Sequence, residues 1–243
     1  MIHLGTWQNA AWPEQVDCII TDPPYSERTH SGNNGGRRVA NRKTAAGHVT
    51  TNCREIDYPA LTPEQAHEWG REWAARARSW VAVLTDSELM HAWQSGFKAA
   101  GMTTFAPVPC VIIGMTCRLS GDGPSSWAVY LMVARAKSAS KWGTLPGAYV
   151  ANPENGNFRA HDRIGGKPLP LMQQIVRDYS RPGMLVADPC AGHATTLVAA
   201  LQAGRRVWGA ECDPAAHAAA VARLERVTAQ PQLITETIQP DLL

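Results

Sequence analysis

The chain has 243 residues, of which 44% are apolar, and a formal net charge of +2. This is enough for one sizeable core and near the upper limit for one compact domain, so we expect a single domain, 1–243, that carries insertions. No stretch reaches the roughly 18 consecutive apolar residues of a membrane helix, and the N-terminus lacks the regions of a signal peptide, so we expect a soluble, cytoplasmic protein.

The predicted elements alternate between short apolar runs and longer amphipathic stretches, which is typical of strands interleaved with helices. Strands are predicted at 16–21, 80–85, within 105–115, and at 127–136, 183–188 and 206–211. Helices are predicted from Pro63 onward and at 87–100, 169–180, 194–203 and 214–228. Since four strands are apolar on consecutive positions, both sheet faces should be covered. The pattern predicts an α/β sandwich on a mostly parallel sheet, with an antiparallel pair possible within 105–136.

The first strand, VDCIIT, runs directly into Asp22-Pro23-Pro24-Tyr25. Proline fixes φ and lacks an N–H, so this turn offers a carboxylate and carbonyl groups but few donors. Such a group of acceptors suits the docking of an amine. The alternative is a strand that ends in a rigid turn with a buried tyrosine.

The segment 26–59 follows that motif and breaks the alternation. It contains SGNNGG, and from residue 26 to 54 it has one acid and six basic residues: Arg28, Arg37, Arg38, Arg42, Lys43 and Arg54. A basic segment on a slightly acidic body suits contact with a polyanion, because each cation placed on a phosphate releases a counterion. A solvated loop is the alternative. A second glycine- and asparagine-rich stretch, 138–166, is predicted to be a loop insertion.

Thr62, followed by Pro63 and Gln65, predicts the start of the next helix. Trp69, Trp73 and Trp80 then recur at near-helical spacing, and we interpret them as core residues rather than a base-stacking surface. Six cysteines occur without a C-x-x-C pair, and we predict reduced thiols and no metal site. They are Cys18, Cys53, Cys110, Cys117, Cys190 and Cys212.

The stretch GMLVADPCAGHATT has a strand that ends in Asp188, a turn of small residues and a helix that opens at Thr195. Ligands of open α/β sheets lie outside the carboxyl ends of the strands. The next strand ends in Glu211, where an acid can accept hydrogen bonds from ribose hydroxyls. The loop lacks G-x-G-x-x-G, and Asp188 would repel a pyrophosphate but suits a cationic amino-acid tail. We therefore predict a pocket for a nucleoside cofactor.

Together with Lys167-Pro168, these motifs resemble the S-adenosylmethionine-dependent DNA amino-methyltransferases, the adenine-N6 and cytosine-N4 family. The catalytic motif precedes the cofactor loop, as in the permuted β group, and the resemblance covers the core elements from residue 2 to about 224, excluding the two long loops. It implies a class I methyltransferase-type, Rossmann-like sandwich with a mostly parallel seven-stranded sheet and one antiparallel strand. It also implies S-adenosyl-L-methionine as the cofactor.

The resemblance further implies a set of site residues. The catalytic ones are Asp22, Pro23, Pro24 and Tyr25, and those that contact the cofactor are Asp188, Pro189, Ala191, Gly192, Thr195, Thr196, Glu211 and Lys167, the last near the cofactor's carboxylate. Asp22 and the Pro23 carbonyl would accept hydrogen bonds from the target amine and stabilise its developing charge, and Tyr25 would stack on a flipped-out base.

The basic segment leaves directly from Tyr25, so we expect it to be mobile in the free protein and to order on DNA through Arg28, Arg37, Arg38, Arg42 and Lys43. The segment 138–166 would be a second contact and a reduced target-recognition region, since a separate domain needs about 80–100 residues. A second subunit of a homodimer would then add recognition surface.

We predict a site-specific adenine-N6 methyltransferase acting on double-stranded DNA, of the restriction-modification type, because the aspartate-led DPPY motif resembles that of the adenine enzymes more than the serine-led motif typical of cytosine-N4 enzymes. A cytosine-N4 enzyme is the first alternative, because the same geometry serves either amine. An RNA or protein-amide methyltransferase is another. A non-catalytic DNA-binding protein on a degenerate methyltransferase fold is a fourth reading, motivated by Thr6, His193 and Ala194, which depart from the family pattern.

Overall fold

The computed structural model describes residues 1–34, 58–113, 128–151 and 166–229. Within these ranges the strands are β1 (Ile2–Leu4), β2 (Val16–Thr21), β3 (Ala77–Thr85), β4 (Thr103–Thr104), β5 (Val108–Ile112), β6 (Ala128–Arg135), β7 (Tyr149–Ala151), β8 (Leu185–Asp188) and β9 (Arg206–Glu211). The helices are α1 (Glu27–Asn34), α2 (Pro63–Arg76), α3 (Met90–Ala99), α4 (Leu169–Tyr179), α5 (Thr195–Gln202) and α6 (Pro214–Ala229).

All the described strands belong to one sheet, in the order β1-β9-β8-β2-β3-β6-β5-β7, with β4 also paired to β6. Strand β6 is antiparallel to β3, β4 and β5, while the other pairs are parallel. The α/β class and the single antiparallel strand are therefore confirmed for the described part of the chain. The sheet there has nine strands rather than seven, because β4 and β7, with two and three residues, are too short to leave a readable pattern.

Helices cover both faces of the sheet, as the apolar strands predict. Successive residues of β2 point to opposite sides, so Ile19 packs in one core with α2 and α3, while Cys18 and Ile20 pack in the other with α4. Each central strand thus contributes to two cores, which holds the carboxyl ends of β2 and β8 in a rigid frame.

The helix predicted after Thr62 starts there, with a complete capping box: Gln65 N–H donates to the Thr62 hydroxyl, and the Gln65 side chain accepts from Thr62 N–H. The predicted tryptophan stripe is only partly helical. Trp73 lies on α2, stacked on Trp93, whereas Trp80 lies in β3 and packs against Tyr179 in the opposite core. The helix ends at Arg76, and the chain is already extended at the next residue.

Both predicted insertions contain regular structure. Helix α1 occupies the first part of the segment 26–59, and residues 35–57 lie outside the described ranges. Strand β7 lies within the segment 138–166 and pairs in parallel with β5, while residues 152–165 are outside the described ranges. Across the parts of the chain that the structure describes, no helix combines the length and apolar character that crossing a membrane requires.

Candidate active site

The two carboxylate-ended strands identified from the sequence are neighbours in the sheet. Strand β2 pairs in parallel with β8, and Ile19 is opposite Ala187, so both strands end at the same edge. The Thr21 hydroxyl donates to Asp188 Oδ1 over 2.6 Å. The turn that carries Asp22 is therefore joined directly to the base of the predicted cofactor loop.

Asp22 lies in a compact group with Tyr25 and Lys167. The Tyr25 hydroxyl donates to Asp22 Oδ1 over 2.9 Å, and Lys167 Nζ donates to Oδ1 and Oδ2 over 2.9 and 2.8 Å. The same Nζ lies 4.7 Å from the centroid of the Tyr25 ring. Burial, followed by the Asp22 charge, raises the pKa of Tyr25 well above its ordinary value, so the phenol keeps its proton and acts as a donor.

Lys167, which the sequence predicts beside the cofactor's carboxylate, contacts Asp22 in the structure. Its side chain is 10% exposed and forms an ion pair with Asp22, whose side chain is 21% exposed. No sequence pattern links these two residues, because they are 145 positions apart and meet only when α4 packs beside β2. The contact with the cofactor remains a prediction, and the contact with Asp22 is the one described.

Asp188 is a buried carboxylate at 1% exposure. It accepts from the Thr21 hydroxyl, from Cys190 N–H over 3.1 Å and from the Thr196 hydroxyl. These hydrogen bonds favour the charged form, but burial outweighs them and raises the pKa of Asp188 from 3.8 to about 6. Asp188 thus fixes the start of the loop by hydrogen bonding, and the burial of its charge destabilises the folded protein.

The loop after β8 is shaped by two left-handed residues. Gly192 has φ of 50° and Ala194 has φ of 59°. A Cβ at Gly192 would meet nothing within 4 Å, so the loop faces open space at this point. Gly192 N–H donates to Glu211 Oε2 over 2.7 Å, and Asp213 N–H donates to Oε1 over 2.8 Å. Glu211, at the end of the adjacent β9, therefore ties the loop to the next strand.

Ala194 occupies a backbone conformation that costs a residue with a Cβ about 1–2 kcal/mol. Its side chain is fully buried, together with Ala191. Pro189 is buried in the same loop. The small Ala191 lies where the loop backbone meets β9, since its N–H donates to the Ala210 carbonyl over 3.0 Å.

Arg223 of α6 supports the same loop and was not identified from the sequence. Its guanidinium donates to the His193 carbonyl and to the Thr195 hydroxyl, both over 3.0 Å. Thr195, expected at the cofactor, and His193, expected to be a loop residue, are both held by this side chain. No local sequence pattern distinguishes an arginine that supports a distant loop from other arginines on an amphipathic helix.

Asp86 is a second residue that sequence reasoning missed. It follows β3, and its Oδ2 accepts from Ser26 N–H over 3.0 Å and from the hydroxyls of Ser26 and Thr29 over 2.5 Å each. It thereby holds the chain that leaves Tyr25. The available signal was its position, since Asp86 directly follows a buried strand, as Asp22 does.

Of the predicted DNA contacts, Arg28 lies on α1 and donates to Glu88 Oε1 over 2.6 Å, with 72% of its side chain exposed. The other four, Arg37, Arg38, Arg42 and Lys43, lie outside the described residues. Pro23 is buried in the turn after β2, and Pro24 is partly exposed. Cys18, Cys110 and Cys190 are free thiols, and Cys212 is exposed.

Comparison with known proteins gives a consistent result. Residues 126–222 match the DNA methylase family of N6- and N4-type methyltransferases. A protein of Escherichia coli (strain K12), "Putative methylase YubD", is 29% identical over 213 residues, which cover 87% of this chain and 83% of YubD.

Two solved structures show the same fold. TTHA0409 of Thermus thermophilus, complexed with S-adenosyl-L-methionine, has a TM-score of 0.59 at 21% identity, covering 95% of this chain and 96% of that one. The PvuII DNA methyltransferase, which is cytosine-N4-specific, has a TM-score of 0.61 at 13% identity, covering 93% and 89%. This chain is thus similar to the DNA methylase family over residues 126–222 and to a methylase relative over most of its length, and it shares its fold with solved DNA methyltransferases.

Proposed function

We propose that this chain transfers a methyl group from S-adenosylmethionine to the N6 amine of an adenine flipped out of double-stranded DNA. The supporting observation is the Thr21–Asp188 hydrogen bond, which joins the DPPY turn to the loop after β8. An amine held at Asp22 and a cofactor held over that loop would share one edge of the sheet.

The residues around the loop fit the cofactor. Gly192 leaves open space where a side chain would stand, and Glu211 is an acceptor-only group with lone pairs left for ribose hydroxyls after its two backbone contacts. The Asp188 carboxylate at the start of the loop would give the site a negative potential, which suits the cationic amino-acid tail of the cofactor. S-adenosylmethionine, when bound, supplies an electrophilic methyl group on a sulfonium. We propose that Asp188, Pro189, Ala191, Gly192, Thr195, Thr196 and Glu211 hold it.

Asp22 would accept a hydrogen bond from the target amine, together with the Pro23 carbonyl. Two acceptors favour a tetrahedral nitrogen whose lone pair is released from the aromatic ring, and they stabilise its growing positive charge. Tyr25, whose phenol stays protonated, holds Asp22 in place and offers its ring to the base. The stacking compensates part of the energy of extruding the base.

The DNA backbone would be bound by the basic segment 26–59, through Arg28 and the four basic residues beyond α1, with 138–166 as a second contact. Asp86 supports this proposal, because it anchors the origin of the segment at the catalytic turn. Neither segment has the length of a separate recognition domain. A homodimer would supply additional recognition surface.

The test is methylation of unmethylated genomic DNA in vitro, followed by mass spectrometry of the nucleosides. We expect N6-methyladenine, whereas N4-methylcytosine alone would overturn the choice of adenine. Asp22→Ala should abolish transfer and leave the calorimetric Kd for S-adenosylmethionine within about twofold, since Asp22 acts on the amine. DNA binding by a wild-type protein that binds no S-adenosylmethionine would instead favour the non-catalytic alternative.

A further inference from the structure

We propose that Lys167 is a stand-in for the target amine: in the substrate-free protein its ammonium group occupies the amine site, where it donates to the Asp22 carboxylate over the Tyr25 ring, and the incoming base must displace it. This inference rests on the proposed function of that site. It assigns Lys167 a positioning role at the amine site.

Lys167 makes with Asp22 the hydrogen-bonded contact that the proposed reaction requires of the target nitrogen. Its Nζ donates to both oxygens of Asp22, at 2.8 and 2.9 Å, and lies over the Tyr25 ring at 4.7 Å from the centroid. The side chain is 10% exposed, so the group is held inside the site. A solvent-exposed ion pair would show neither this burial nor the contact with an aromatic ring.

The chemistry of the two nitrogens is also alike. At methyl transfer the target nitrogen becomes tetrahedral and positively charged, with N–H groups still available to donate. An ammonium has the same shape and charge, and an aromatic face attracts either cation. The site therefore already binds a group that resembles the transition state of the amine more closely than its planar ground state.

The stand-in has a function in the free protein. It compensates the Asp22 carboxylate, which is removed from most of the solvent, and holds it in one orientation. Lysine suits this role because its charge is carried on a flexible four-carbon stem that can withdraw. Helix α4 begins two residues after Lys167 and is fixed in the core by its buried residues, among them Leu171 and Met172. Displacement thus requires movement of one side chain only.

The first test separates a stand-in from a cofactor ligand. Lys167→Met keeps the apolar stem and removes the ammonium. With saturating S-adenosylmethionine we expect its KM for unmethylated genomic DNA to fall about fivefold, since the open site is no longer a minority state, with kcat little changed. Lys98→Met, at an exposed lysine of α3, should leave KM unchanged. An unchanged or higher KM in Lys167→Met, or a weakened Kd for S-adenosylmethionine, would overturn the proposal.

The second test does not depend on methyl transfer. Lys167→Ala removes the ammonium and its last three carbons, a space that n-propylammonium matches. At equal ionic strength, n-propylammonium should raise the thermal midpoint of Lys167→Ala and leave the wild type and the double variant with Asp22→Ala unaffected. The same shift in all three proteins, or in none, would refute the stand-in. If neither the wild type nor the variants methylate DNA, while n-propylammonium raises the thermal midpoint of Lys167→Ala alone, the proposed function is wrong but the amine-binding site is supported.

Discussion

Replacing Asp188 by asparagine should make the protein more stable above pH 6 while weakening its cofactor binding. The wild-type carboxylate is 1% exposed, and burial raises its pKa from 3.8 to about 6. Asparagine has nearly the same shape without a charge. Its carbonyl oxygen can accept from the Thr21 hydroxyl and Cys190 N–H, and its NH₂ can face the Thr196 hydroxyl.

The sign follows from the direction of the shift. Because the folded pKa of Asp188 lies above the unfolded one, the folded protein binds more protons between pH 3.8 and about 6. The contribution of Asp188 to stability is therefore fully present below pH 3.8 and is lost as the pH rises to about 6. A pKa difference of this size corresponds to about 3 kcal/mol of unfolding free energy, which Asp188→Asn should recover at about pH 8 and not at about pH 4.

Urea unfolding of both proteins at about pH 4 to 8, at constant ionic strength, measures this difference directly. Asp178→Asn is the matched control, since Asp178 lies on α4, accepts from the Tyr149 hydroxyl and has a side chain that is 18% exposed, so it should show no such gain. A variant less stable than the wild type at the alkaline end, or a difference independent of pH, would refute the reasoning. The stability gain should coincide with a weaker Kd for S-adenosylmethionine, as expected where a binding site stores unfavourable energy.

Three further substitutions test the site and its frame. Gly192→Ala should weaken the calorimetric Kd for S-adenosylmethionine at least about tenfold. Gly204→Ala is the control, because Gly204 has a similar positive φ and equally open surroundings, and this variant should lose only about 1–2 kcal/mol of stability through backbone strain. Equal Kd values for the two variants would contradict the prediction. Asp86→Asn should lose about 1–2 kcal/mol in urea unfolding, because its NH₂ replaces one of two oxygens that both accept from backbone N–H groups, those of Ser26 on one side and of Glu88 and Leu89 on the other. Unchanged stability would count against the anchor. Gly96→Ala should lose about 3 kcal/mol, because its Cβ would overlap a backbone carbonyl of α2; a smaller loss in thermal unfolding would show that the helices can separate.

The residues with a local signal were found from the sequence. Asp22 follows a buried strand, Asp188 and Glu211 each end one, and the Thr62–Gln65 capping box starts α2 as predicted. Such signals are readable because apolar runs, prolines and caps act within a few positions of the chain. The family resemblance rested on these same residues.

Contacts between distant segments had no such signal. Trp80 fits a helical spacing but lies in β3, because α2 ends at Arg76, and it packs in the core opposite to Trp73. Strand β7 is three residues long and is stabilised by pairing with β5 rather than by its own composition. These features depend on neighbours supplied by other parts of the chain.

The sequence by itself determined which chemical groups the protein has: two strand-end carboxylates, a proline turn with few donors, a loop of small residues and a tyrosine. Only the tertiary structure decided what each group faces. The order of the sheet places β2 beside β8, so Thr21 meets Asp188, and the packing of α4 brings Lys167 onto Asp22 across 145 residues. Local sequence sets backbone preference and side-chain chemistry, whereas a contact between distant residues exists only once the whole sheet has paired.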